Sequence, residues 1–430
     1  MWQRKSFSEW YMKFAVVSYV LPPASSGQAV LLYRLLSHLN PEDYCLISLE
    51  RDRGEQHLQK LPANYYYLPA EFRLSRGYRF GLDKLRGYGN LMLSVTASIH
   101  TRARRIAEIV KREKCEAVLG CAAGHDLIYF PAACLASRLA GVPFYVYFID
   151  DYSNQWVSGL VRTFARRIEP WVMKRAAGVI TINEFLHETL RRRHGVEATV
   201  IHNPCDLSAF TSVSDGSPLR RGDEAEIVYT GAVSEGQYDA FMNLLAAMEI
   251  TNRKTKLHIY TAQPVDYWSE QGIRGPVVYH EHVDAANIPR VQSAADFLFL
   301  PLGFKTPYPD HIRTAVPSKT GEYLASGRPI LVHAPADSFL VWYFRRYECG
   351  LIVDEPDPAR LAEAITSLLN DEDLCRRLVA NARERAQKDF SIESAQVKFA
   401  QVLGLDVPGS NEKSEREQEE SCVLADGVVY

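Results

Sequence analysis

Three side chains in the run "AVPSKTGEYLASGRPILVHAP", residues 315–335, have the types needed to hold a phosphorylated ligand: Ser318, Lys319 and Glu322. Pro317 and Ser318 precede the helix-period stretch "KTGEYLAS", so Ser318 can serve as its N-cap and leave the free N–H groups of the first turn facing a loop. That end carries partial positive charge, and Lys319 adds a full one; together they suit a diphosphate. Glu322 has two readings, as a complement to the helix dipole or as an acceptor for a ligand hydroxyl. A capping box places its acid three residues after the cap, where this chain has Gly321, so Glu322 comes one position late for that role. Gly321 also removes side-chain bulk where a ligand could approach closely.

Other candidates stand at the ends of apolar, strand-like runs. Gly27 in "SSGQA" precedes a helix-period segment whose start could meet a phosphate or an acceptor; a simple tight turn explains it equally. His125 in "AAGHDLIYF" reads as a catalytic group or as a hydrogen-bonded structural histidine. Asp150 and Asp151 end the run "VYFIDD", where they could bind an acceptor or act as a base, cap a helix, or chelate a metal. Adjacent residues on an extended chain point to opposite sides, which disfavours joint chelation.

These groups need a scaffold, and the chain is long enough for two domains. It has 430 residues, 47% of them hydrophobic, whereas single cores stop growing near about 250 to 300 residues. From Met12 onward, short β-rich runs alternate with helix-period segments, which predicts an α/β architecture of parallel sheets wrapped by helices. "KFAVVSYVL", "YCLISL", "AVLGC", "PFYVYFI", "GVITI" and "ATVIH" form the first series, with "DLIYFPAACLASRLAG" and "WVSGLVRTFARRIEPWVMKRAAG" as helices closing on glycine. The rhythm lapses in "NPCDLSAFTSVSDGSPLRRGDEAE" and restarts with "EIVYTGAV", "KLHIYTA", "PVVYHEHV", "DFLFLPL", "RPILVHAP" and "CGLIVDEP". Asp357 is placed to cap the helix "PARLAEAITSLLN".

The expected organisation is an N-terminal extension over 1–11, a first domain over 12–207, a linker over 208–222 and a second domain over 223–403. Its last helix is able to pack back on the first domain, and a polar tail over 404–430 reads as disordered. Met12 is an alternative start. In open parallel sheets, ligands bind at the carboxyl ends of the strands, so two such sheets face each other across a cleft.

A net charge of −3 offers no global attraction for nucleic acid. Eight cysteines without a CxxC pair, several inside apolar runs, read as reduced core thiols of a cytoplasmic protein. No apolar run reaches the roughly 18 residues that a membrane span needs. The segment from Arg73 to Lys114 carries an excess of Lys and Arg interleaved with Tyr, Phe and Leu. It fits a peripheral contact with anionic lipid, or an ordinary solvated helix face.

"VPSKTGEYLASGRPILVHAP" followed by "GLIVDEPDPARLAEAITSLLND" resembles the donor-binding domain of glycosyltransferase family 4, the group 1 retaining nucleotide-sugar transferases. "GVITINEFLHETLRRRHGVEATVIHNPCD" resembles that family's interdomain region, and "SYVLPPASSGQAVLLYRLLSHL" its opening strand, loop and helix. The resemblance runs through residues 12–403 and implies a GT-B fold, two Rossmann-like domains with the reaction in the cleft. It implies that Glu322 hydrogen-bonds the donor ribose and that Ser318, Lys319 and Thr320 face the diphosphate. It further implies that Gly231 and, in the same loop, Ser234 line the donor site, and that Val283 meets the nucleobase. Asp150, Asp151 or His125 would then orient the acceptor hydroxyl.

Two departures from the family pattern stand out. Thr314 occupies the place of a second glutamate, and "GAVSEGQYDAF" lacks the usual basic residues, so Lys319, Arg313 and Lys305 become the candidate charges for the leaving diphosphate. The "PSK" form is similar to that of a subgroup active in surface-polysaccharide assembly. The implied partners are a nucleoside diphosphate sugar and a glycan or lipid-linked acceptor at the cytoplasmic membrane face, with no cofactor and no metal. Two other readings remain open: a sugar-nucleotide epimerase of the same fold, and a non-catalytic nucleotide-binding scaffold.

Overall fold

The computed structural model describes residues 12–24, 26–48, 60–69, 83–123, 127–156, 159–211, 224–251, 254–281 and 283–404. Seven strands form the first sheet: β1 (Phe14–Val17), β2 (Tyr44–Ser48), β3 (Asn64–Tyr67), β4 (Ala117–Ala122), β5 (Phe144–Phe148), β6 (Ala176–Thr181) and β7 (Thr199–Val200). Their spatial order is β3-β2-β1-β4-β5-β6-β7, all parallel. The second sheet holds β8 (Glu224–Thr230), β9 (Lys254–Tyr260), β10 (Val277–His280), β11 (Phe297–Pro301), β12 (Ile330–His333) and β13 (Leu351–Val353). Its order is β10-β9-β8-β11-β12-β13, again parallel throughout. Helices cover both faces, so central strands such as β1, β4 and β11 are buried along their whole length and read as unbroken apolar runs.

In each sheet the strand order reverses beside the first strand, between β1 and β4 and between β8 and β11. Ligand crevices form at such switch points, outside the carboxyl ends of the strands. The segments that leave β1 and β8 carry Gly27 and Gly231, so both glycines belong to crevice loops.

The chain crosses between domains twice, and the crossings touch: Cys205 N–H donates to the Phe390 carbonyl at 2.7 Å. After the second crossing, the helix Ile392–Leu403 joins the first domain, adding Ala395, Phe399 and Leu403 to its core. The Phe399 ring lies 5.8 Å from that of Phe14 on β1.

Two helices differ in how they end. The helix Tyr129–Ala140 closes on Gly141, whose φ of +79° is the left-handed conformation glycine adopts freely. The helix Gly159–Met173, by contrast, stops before the glycine expected to close it, and Gly178 lies inside β6. A Cβ there would meet Tyr145 at 2.9 Å and Val402 at 3.0 Å, so the glycine serves close packing under the C-terminal helix.

All seven cysteines of the described residues are buried free thiols. Among the described residues no helix is long and apolar enough to cross a membrane. Much of the basic run is the helix Asp83–Arg112. Its Arg102 is buried with the guanidinium 4.8 Å from the Tyr129 ring centroid, whereas Arg104 and Lys111 are exposed.

Candidate active site between the domains

The chain leaves β8 at Gly231, whose φ is +110° and whose N–H donates to the Tyr260 carbonyl at 2.8 Å. A Cβ at this glycine would sit 3.2 Å from Lys319 Nζ. The missing side chain therefore makes room for an ammonium against the loop. That ammonium stands 3.7 Å from the centroid of the Tyr229 ring, and the Tyr229 hydroxyl donates to the Ala232 carbonyl in the same loop at 2.6 Å. Burial pushes the Lys319 pKa down to about 7, outweighing the raising effect of Glu322. Lys319 keeps part of its surface accessible, so an anion reaching it would favour the charged form. The cation missing from the loop sequence is supplied from below by a different segment.

The helix carrying Glu322 is shorter than its sequence suggests, running only over Thr320–Ala325. Lys319 takes the cap position without a side-chain capping bond, which corrects the assignment of Ser318. A tight turn replaces the cap: the Pro317 carbonyl accepts from Thr320 N–H at 2.9 Å and from Thr320 Oγ1 at 2.7 Å. Thr320 is buried and its hydroxyl committed, so it is removed from the ligand contacts. Gly321 also faces protein, since a Cβ there would meet Phe390 at 3.0 Å and Cys205 at 3.1 Å. Its lack of a side chain lets the helix sit on the domain crossing.

Glu322 projects toward the cleft, where both carboxylate oxygens are engaged. Oε1 accepts from Arg34, on the first-domain helix Gly27–Leu36. Oε2 accepts from Gln292 Nε2 at 3.0 Å, on the helix Ile288–Ala294, and the same Nε2 donates to Thr230 Oγ1 at 3.1 Å. Arg34 Nη1 also donates to the Pro204 carbonyl at 3.3 Å. Neither Arg34 nor Gln292 was singled out in the sequence. Arg34 lies seven positions after Gly27 on a helix that buries Leu31, Leu32, Leu35 and Leu36, and there it resembles any solvated arginine until the domains are brought together.

The first domain meets this segment closely. A Cβ at Gly27 would lie 3.3 Å from Ser318 Oγ, and Ser26 caps the helix behind it by accepting from Ala29 N–H at 3.2 Å. Asn183 Nδ2 donates to the Thr314 carbonyl at 2.8 Å, so Thr314 is held in the domain interface. Arg313 also lies there, 5.8 Å from the Phe185 ring centroid. Lys305 is exposed on a loop shaped by Asp239, whose Oδ2 accepts from the N–H groups of Phe304 and Lys305 at 2.9 and 2.7 Å.

The two aspartates after β5 separate. Asp151 is buried and held by Arg193 through two contacts of 2.9 Å, with Asn154 Nδ2 donating at 2.8 Å. Burial raises its pKa, but the hydrogen bonds and charge of Arg193 outweigh that and hold it below the ordinary range. Arg193 bridges onward to the buried Glu169 at 2.8 Å, which His194 Nε2 meets at 2.7 Å. Asp151 is thus part of a structural ion network, which corrects its assignment to the acceptor. Asp150 stays half-buried at the strand end. His125 lies outside the described residues. Ser234 is exposed, its Oγ 3.3 Å from Gln237 Oε1, and Val283 is half-buried just after β10. Among the described residues no group of three or more His, Cys, Asp or Glu is placed to hold a metal.

Comparison with known proteins identifies the family of the chain. Residues 26–204 match the model described as a glycosyl transferase 4-like domain, and residues 224–371 match the glycosyl transferases group 1 model. The fold is similar to that of sucrose-phosphate synthase from Thermosynechococcus elongatus, at 18% identity and a TM-score of 0.63 over 91% of this chain and 98% of that one. It is also similar to Anabaena HepE in complex with UDP and glucose, at 13% identity and a TM-score of 0.64 over 92% and 100% of the two chains. The apo form of the lipopolysaccharide outer core galactosyltransferase WaaB is similar at 14% identity and a TM-score of 0.57, over 91% and 99%. Comparison with curated proteins finds no match. Both domains are matched in order across one two-sheet GT-B architecture, and the chain therefore belongs to the group 1 glycosyltransferases.

Proposed function

We propose that this glycosyltransferase is a retaining enzyme that moves a sugar from a nucleoside diphosphate donor to a hydroxyl of a glycan or lipid-linked glycan in surface-polysaccharide assembly. The observation that carries this reading is the pairing of Lys319 under the Gly231 loop with Glu322 one helical turn away. A diphosphate against Lys319 and a ribose against Glu322 would use one cation and one carboxylate, with Ser318 and Gly27 closing the site from either domain. The sugar C1–O bond to phosphate breaks as the bond to the acceptor oxygen forms on the same face. The acceptor proton passes to the departing phosphate oxygen, and Lys319 stabilises the charge that gathers there. Asp150 orients the acceptor hydroxyl. This scheme calls for no metal.

The neighbours' names support the choice of substrates: one is in complex with UDP and glucose, and another is a lipopolysaccharide outer core galactosyltransferase. Charge distribution supports a membrane-borne acceptor. Residues 12–207 carry 25 Lys and Arg against 18 Asp and Glu, while residues 224–404 carry 18 against 24. An anionic membrane would thus meet the first domain, at about 1 kcal/mol per basic residue near the surface.

The test is thermal stabilisation of the purified full chain by UDP, GDP, TDP, CMP and their sugars, with and without magnesium, followed by an assay for nucleotide release. Selective stabilisation by one diphosphate family, with release only when an acceptor is added, is expected. Epimer formation without acceptor would favour the epimerase, binding without turnover would favour the scaffold, and no stabilisation by any nucleotide would overturn the reading.

A further inference from the structure

We propose that Arg34 is a positioning residue for Glu322: from the first domain it fixes the carboxylate that receives the donor's ribose hydroxyls, so that contact depends on the two domains being docked. The inference rests on the donor reading above. A carboxylate offers about four acceptor sites over its two oxygens. Arg34 takes one on Oε1 and Gln292 takes one on Oε2, which leaves one on each oxygen, the pattern that suits a vicinal diol. Both bonds lie in the cleft wall, where the Arg34 and Glu322 side chains are only 19% and 16% exposed, so water screens them weakly.

The two donors are themselves anchored. Arg34 is held by the Pro204 carbonyl at 3.3 Å, and a planar guanidinium bound at both ends keeps one orientation. Gln292 is fully buried, and its Nε2 is shared between Glu322 and Thr230, which sets the direction of the amide. Among the described residues, its Oε1 is a buried acceptor without a hydrogen-bond partner.

A purely structural Arg34 would tie the domains together without affecting ribose recognition, and the two roles separate in a binding cycle. The affinities of UDP and GDP are compared with those of their 2′,3′-dideoxy forms for the wild-type full chain, Arg34→Ala and Arg34→Lys. For the nucleotide the wild type prefers, the ribo form should bind about tenfold more tightly, as expected for a charge-assisted hydrogen bond. In Arg34→Ala the ratio should collapse toward one, Arg34→Lys should restore part of it, and the affinity for inorganic pyrophosphate should stay unchanged. Arg34→Lys keeps a cation at this place, so it carries the comparison if the alanine variant fails to fold. A tenfold preference that persists in the folded variants would overturn the proposal alone. Equal binding of ribo and dideoxy forms by the wild type, or no binding of either nucleotide, would remove the ribose role of Glu322 and this proposal with it.

Discussion

Lys319 and Asp151 are both charged groups set into protein, and their surroundings give them opposite roles. Asp151 meets a fork of two hydrogen bonds from Arg193. Lys319 meets a ring face and the raising effect of the Glu322 charge, but burial dominates and its pKa falls to about 7 from the ordinary 10.5. Between those values the unfolded chain binds a proton that the folded chain does not, and stability therefore rises with pH across this interval. Below about 7 both states are protonated, and the whole cost of burying the ammonium is felt. Lys319→Met should then melt higher than wild type at pH 6, with a smaller gain at pH 9, at about 2–4 °C per kcal/mol. Its sugar transfer should drop sharply. Equal gains at both pH values would show that the ammonium is not what burial penalises. For the aspartates, Asp151→Ala should cost about 1.5–3 kcal/mol, because it removes two charge-assisted hydrogen bonds to Arg193, which keeps only Glu169 as a buried partner. Asp150→Asn should melt within about 0.5 kcal/mol of wild type yet slow turnover. Melting curves and transfer rates on both variants check the division. Lys319 and Glu322 stood out in the sequence because local spacing places them at a helix start, and Gly231 through the family resemblance alone. Asp151 could not be told from Asp150, since the choice depends on Arg193, 42 positions away.

At the scale of elements, Gly231 and Gly275 share a conformation that other residues rarely adopt, with φ of +110° and +103°. They differ in what lies above them. A Cβ at Gly275 meets nothing within 4 Å, whereas one at Gly231 meets the Lys319 ammonium. Both alanine variants should lose about 1–3 kcal/mol through backbone strain. Only Gly231→Ala should also lose donor affinity, because its methyl displaces the cation. A binding measurement on the two variants decides this, and matching losses of affinity would mean that strain alone governs the loop. The alternation of strands and helices was legible because strands covered on both faces must be apolar throughout. Helix ends were less so. Gly178 and Ser318 carry the residue types of a helix end and a cap, yet Tyr145 and Val402 claim the first, and the Pro317 turn displaces the second.

Across the whole molecule, the two domains are joined by more than their linker. The helix Ile392–Leu403 follows the second domain in sequence but completes the core of the first, where Phe399 is fully buried beside Phe14. The helix Gly27–Leu36, which presents Arg34 to Glu322, packs against this same C-terminal helix. Phe399→Ala removes a large buried ring and should cost about 3–5 kcal/mol. The loss belongs to the first sheet, although the residue follows the whole second domain in sequence. Hydrogen exchange should therefore quicken in β1 and β2 while β11 and β12 keep their protection, and nucleotide affinity should fall because the helix bearing Arg34 is loosened. Unchanged exchange in β1 would take Phe399 out of the first core. Equal loosening of both sheets would instead mean that the domains open as one cooperative unit, with the crossing at Cys205 and Phe390 transmitting the damage.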